Sequence, residues 1–186
     1  YCDDQISITN DLQPIVFSLD SGYYDRFNLD LNWTVDANAL SGYWVRDEPL
    51  LTSFNNFACN PGSDSYDCGE MAYVTGNSGG SITSDDVDLG YVKLTSPTIS
   101  LNTNESHYLH CNLWWKNIAG ASTPDDTLFI RANDGQNIIN LLTATNVDEF
   151  EWDSKTFQLP SSIDLSNFHI EVITADWYTG IDNVVE

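Results

Sequence analysis

The sequence predicts an all-β protein, an antiparallel two-sheet β-sandwich of the jelly-roll kind, and three observations carry that reading. Apolar and polar residues alternate over short runs, as in Phe27, Leu29, Leu31, Trp33 and Val35, the period of two expected when one strand face is buried. Clusters of Gly, Asn, Asp and Pro punctuate the runs at short intervals. No long stretch keeps the period of about 3.6 residues that marks an amphipathic helix. A chain of 186 residues without an internal repeat of roughly 20 to 50 residues is read as one sandwich domain with its own core.

Taken in order, residues 1–14 are a lead-in strand tied down through Cys2, and residues 15–186 are the domain proper. Ile15, Phe17 and Leu19 alternate into a Gly turn, which leaves Asp20 at a strand edge. The run from Phe27 to Val35 predicts a half-buried strand with Trp33 in the core. Gly42 breaks the chain before Trp44, and Pro49 stops the strand that follows. Gly69 to Leu101 reads as strand, acidic loop, strand, with Asp85, Asp86 and Asp88 in the loop. Next, Leu109, Cys111, Leu113 and Trp115 face one way, while Tyr108, His110, Asn112, Trp114 and Lys116 face the other. An outward sheet face bearing aromatics is a surface for gripping sugars or peptides by stacking, unless a loop covers Trp114. Leu128, Ile130 and Ala132 point inward with Phe129 and Arg131 outward, and Asn133-Asp134-Gly135 marks a hairpin into the strand Ile138 to Leu142. Three further strands, with Glu171 outward, complete roughly ten to twelve.

Composition narrows the partners. Six Lys and Arg against 28 Asp and Glu give a formal charge of -22, which repels nucleic acid and anionic lipid. No apolar run approaches the roughly 20 residues of a membrane-spanning helix. Beginning at Tyr1, the chain fits a mature or excised product of a secretory route. Asp outnumbers Glu, 21 to 7, which favours turns and loop-borne calcium ligands; an acidic surface selected for solubility explains the same bias. Of the four cysteines, Cys59 and Cys68 enclose a Pro/Gly/Ser/Asp loop and are expected to pair, leaving Cys2 with Cys111. Sequons stand at Asn32 and Asn104.

Catalytic chemistry finds little support. There is no G-x-S-x-G, H-E-x-x-H or phosphate-binding loop, and His107 and His110, three apart on a strand, point to opposite faces, so the chain is read as a non-enzyme. Calcium suits it better, because that cation takes six to eight oxygens. Asp20, Asp85, Asp86, Asp88, Asp125, Asp126 and Asp182 with Asn183 are the candidate ligands of a structural site.

Several segments together resemble a known family: Gly42 to Pro49 (G-x-W-x-R-x-x-P), Thr75 to Pro97 (T-G-N, then D-D-V-D-x-G, then L-T-S-P) and the closing Ile181 to Val184. Over about residues 15–186 the chain resembles the MAM-like (meprin/A5/mu-like) jelly-roll accessory domains of secreted bacterial proteins, related to cleaved-adhesin modules. The resemblance implies an adhesion or binding module, often with a structural calcium, for which Asp20 and Asp182 would be ligands. Cys59 and Cys68 depart from that pattern. The expectation is an extracellular or cell-surface binding module, part of a larger secreted or surface protein. It would recognise a glycan or a protein partner through Trp114, Tyr108, Phe129, Arg131, Trp177 and Tyr178. The alternatives are an assembly subunit of a surface protein or filament and, more weakly, a hydrolase.

Overall fold

The computed structural model describes residues 22–54, 57–66, 68–80, 85–118, 126–145, 151–176 and 184–185. The lead-in strand, Cys2, Asp20, Asp125, Trp177, Tyr178, Asp182 and Asn183 lie outside the described residues. Within them the chain forms strands and loops: β1 (Thr34–Ala37), β2 (Trp44–Asp47), β3 (Ser53–Phe54), β4 (Phe57–Ala58), β5 (Ala72–Thr75), β6 (Gly90–Thr95), β7 (Tyr108–Leu113), β8 (Asn117–Ile118), β9 (Thr127–Asn133), β10 (Ile138–Ala144), β11 (Asp153–Gln158), β12 (His169–Asp176) and β13 (Val184–Val185). Every pairing is antiparallel.

One layer is a five-stranded sheet in the order β1-β6-β12-β9-β10. Register sets its inner face: Val92 lies opposite Thr174, Leu94 opposite Val172, Thr174 opposite Leu128, and Ile170 opposite Ala132. Val92, Leu128, Ile130 and Ala132 are at most 2% exposed, and each large apolar side chain buried this way contributes about 1.5–3 kcal/mol. The second layer is two separate ribbons, β2-β5 and β7-β11. Leu109, Cys111 and Phe157 from the β7-β11 ribbon pack on Ile130, Ala132 and Ile170. Trp44 of β2 joins Val92, Leu128 and Trp115. An all-β antiparallel sandwich is thus formed as the alternation predicts.

Two expectations from alternation fail locally. The run from Phe27 to Val35 becomes a strand only at β1, because Asp25 Oδ1 accepts from the Phe27 N–H (2.7 Å) and Asp30 Oδ1 from the Asn32 N–H (2.9 Å). These side-chain turns compete with a strand ladder, and Phe27 and Asn32 sit at φ 59° and 67°, leaving Leu29 exposed. Lys116, expected outward, is buried beside Trp115 at 1% exposure. The alternation ends with β7 at Leu113, so it no longer dictates where Lys116 points.

The acidic loop is gripped from two sides. Asp85 accepts from the Ser78 N–H at both carboxylate oxygens (2.8 and 2.9 Å) and from Ser78 Oγ (3.0 Å). Ser41 Oγ donates to the Asp86 carbonyl (2.8 Å) and lies 3.1 Å from Asp88 Oδ2. Gly42 allows this closeness: at φ +71°, a Cβ there would stand 2.6 Å from the Asp86 carbonyl oxygen and from the Val87 nitrogen. Val87 is wholly buried, so the neighbour has nowhere to go. At the far end of the sheet the expected hairpin forms, with Asp134 accepting from the N–H groups of Gln136, Asn137 and Asp164.

Gly42→Ala is therefore expected to lower stability by about 2–4 kcal/mol, whereas Gly80→Ala, where the nearest atom is 3.8 Å away, stays within about 0.5 kcal/mol; chemical denaturation of both checks this. Those N–H donors hold the Asp134 carboxyl well below its ordinary value of 3.8. A depressed acid contributes stability above its unfolded value and loses it as pH falls through the folded one. The difference in melting temperature between the wild type and Asp134→Ala is expected to be full at neutral pH and to shrink on acidification below 3.8, as read by melts across pH.

Candidate ligand-binding cleft

Because the second layer is split, the interior is not filled. A cavity of about 530 Å³ lies between the five-stranded sheet and the two ribbons, within the size range of small-molecule sites, roughly 300–1,000 Å³. Both faces of β7 contribute to its wall, Leu109 and Cys111 from inside, His110 and Asn112 from outside, so the space continues past the strand edge towards the surface. Five of the chain's six tryptophans, Trp33, Trp44, Trp114, Trp115 and Trp152, line it.

Each flank carries an aromatic cluster. Beside β5, Phe27 meets Trp33 edge-on (5.5 Å between centroids, 75°) and Tyr73 likewise (5.2 Å, 83°). Asp25 fixes this cluster, accepting from Trp33 Nε1 (2.8 Å) and the Tyr23 hydroxyl (2.9 Å). Burial, then the hydrogen bond to Asp25, pushes the Tyr23 phenol well above its ordinary value. Beside β7 and β11, Trp114 and Trp152 pack edge-on (6.1 Å, 76°). Their indole N–H groups reach the 59–65 loop, Trp114 donating to the Cys59 carbonyl (2.7 Å) and Trp152 to the Ser63 carbonyl (3.0 Å). Asn112 Nδ2 adds a bond to Ser65 Oγ (3.0 Å).

The deep end of the cavity is different in kind. Trp115 Nε1, Thr75 Oγ1 and Thr174 Oγ1 line it, are 3% exposed or less as residues, and have no hydrogen-bond partner among the described residues. Leaving such a group unsatisfied costs roughly 1–3 kcal/mol, and native proteins hold few of them.

Of the described residues expected to bind a ligand, only Trp114 lies in this wall. Tyr108 is 52% exposed on the outer side of β7. Phe129 and Arg131, stacked on each other at 4.4 Å, alternate with the inward Leu128 and Ile130, which puts them on the outer side of the opposite layer. The outer faces of two stacked layers point apart, so these residues do not make one binding face with Trp114. Alternation assigns Trp33 to the core and singles out none of Trp44, Tyr73 and Trp152 as a ligand contact; the signal available is six tryptophans in one small acidic domain. The histidines are occupied: His107 Nε2 lies 2.6 Å from the Asn102 carbonyl, His110 Nδ1 2.9 Å from Thr156 Oγ1 and His169 Nδ1 2.9 Å from the Ser96 carbonyl.

Neither expected disulfide pairing forms, because neither Cys59 nor Cys111 is in a disulfide, while Cys68 is disulfide-bonded. Cys59 is buried at 2% exposure in the loop that the indoles and Asn112 hold, which supplies the order a Cys59–Cys68 bridge was expected to give. Among the described residues no three His, Cys, Asp or Glu side chains converge as a metal-binding group. Asp85 and Asp86 are buried and Asp126 is fully so, with the Asp85 carboxylate engaged by Ser78.

Burial pushes the Cys111 thiol up to about 11, against the opposing pull of Lys155, so its thiolate is on the order of one part in ten thousand at neutral pH. Alkylation without reductant is expected to label both Cys59 and Cys111 in denaturant, and to be at least about 100-fold slower on the native protein. Mass spectrometry of the labelled peptides reads both; a Cys59 that resists labelling in denaturant would contradict its standing outside any disulfide.

No protein-family model, curated protein or solved structure matches the chain.

Proposed function

We propose that the protein is a non-catalytic binding module that takes a glycan into the cleft between its layers. The observation behind this is the convergence of five of six tryptophans on one cavity. A pyranose ring has an apolar C–H face that stacks on the electron-rich face of an indole, and hydroxyl groups around its edge that need donors and acceptors. Asn60, Asp64 and Asn112 stand in the same wall and supply them. Catalysis has less support there: the raised Cys111 thiol is a poor nucleophile, and Asp25 already accepts from three donors.

The same reading places the module outside the cell or on its surface, as part of a larger secreted or surface protein. It retains a structural calcium, with Asp20 and Asp182 as its leading ligands and Asp85, Asp86 and Asp88 as further ones. A second reading, an assembly subunit, draws on the exposure of Leu51 and Tyr66, 57% and 98%; sedimentation over a range of concentrations separates it from a monomeric binder.

On a glycan array the protein is expected to bind at least one oligosaccharide, and Trp114→Ala to weaken that binding about tenfold or more, with Trp152→Phe milder because an aromatic face remains. Binding that survives Trp114→Ala unchanged would remove the cleft from consideration. Melting temperature is expected to rise in excess calcium over excess chelator, since a ligand held only by the native state stabilises it; equal values would end the calcium reading.

A further inference from the structure

The three unpartnered groups at the deep end of the cleft belong to three different elements, yet the fold gathers them. Thr174 of β12 lies opposite Val92 on one side and Leu128 on the other. Trp115 packs in the same cluster as Val92 and Leu128. Thr75 of β5 is opposite Trp44, whose indole N–H crosses the interior to the Val92 carbonyl (3.2 Å). Thr174 and Trp115 therefore meet at Val92 and Leu128, Thr75 stands one residue away across Trp44, and all three line the cavity. Two hydroxyls that donate and accept, beside one N–H that only donates, match the edge of a hydroxylated ring. Asp25 and Asp64, by contrast, are only half-buried as residues.

We infer that the deep end of the cleft holds the terminal residue of a neutral glycan, bound end-on, with Thr75, Thr174 and Trp115 hydrogen-bonded to its hydroxyl groups and the tryptophan walls stacked on its faces. This rests on the glycan-binding reading and adds to it which end enters and which sugars qualify. Charge selects the class: the lining carries two carboxylates, Asp25 and Asp64, against one ammonium, Lys155, and that ammonium is already paired with Asp153. A uronic acid entering would add a carboxylate to a wall and a chain that are negative already.

The test is calorimetric titration of the whole protein with neutral trisaccharides of glucose, galactose, mannose and N-acetylglucosamine, and with a glucuronic acid trisaccharide. Thr75→Val and Thr174→Val are titrated in parallel and melted. A neutral trisaccharide is expected to bind, its acidic counterpart at least about tenfold more weakly, and each Val variant to lose about tenfold in affinity. Each variant is also expected to melt at the wild-type temperature or above, because an unpartnered hydroxyl has been replaced by a methyl of the same shape. Variants that bind as tightly as wild type, an acidic trisaccharide that binds equally well, or variants that melt lower and bind more weakly together would each overturn the inference while leaving glycan binding standing. Absence of binding heat with every trisaccharide would instead remove the glycan reading itself.

Discussion

A five-stranded sheet with an apolar inner face has to be covered, and here two ribbons cover it where one continuous sheet would leave no opening. That constraint organises the rest. Leu109, Cys111 and Phe157 pack against the cluster that holds Ile130 and Ile170, and the cavity opens beside them. Where the ribbons part, large aromatic side chains span the distance, because only a ring as long as an indole reaches from β2 to the Val92 carbonyl. The cleft is thus a product of layer geometry, and its aromatic lining is what such geometry requires.

The same division explains the polar bracing. A split layer leaves loop edges without a neighbouring strand, and their backbone groups need partners from elsewhere. The 59–65 loop finds them in the indole N–H groups of Trp114 and Trp152, and the segment after Gly76 finds them in the Asp85 carboxylate. Asp85 thus accepts from the main-chain N–H of Ser78, a role open to any carboxylate set close to a turn.

How much was legible follows from which rules were local. Strand period and turn chemistry act over a few residues, so β7, β9, the Asp134 hairpin and the all-β class could be read directly. The Phe27 to Val35 run misled because two aspartates offered backbone donors a nearer partner than a neighbouring strand, a competition that alternation does not register. The cleft was hidden for another reason. Its walls come from residues 23 to 174 along the chain, and alternation says which face a side chain takes without saying which faces meet. Trp114 was found because alternation sets it on the side opposite Leu113 and Trp115, although β7 ends at Leu113; Trp33, Trp44 and Trp152 became visible only when the ribbons were placed.

The concentration of tryptophan around one space has an optical consequence. With five of six indoles in the same wall, most of the tryptophans that give this protein its intrinsic ultraviolet emission stand at the cleft. Two of those indoles, Trp114 and Trp152, sit edge-on at 6.1 Å, close enough for excitation to pass between them. Any molecule that displaces solvent from the cleft changes the surroundings of most emitters at once, so the unlabelled protein carries its own reporter of occupancy.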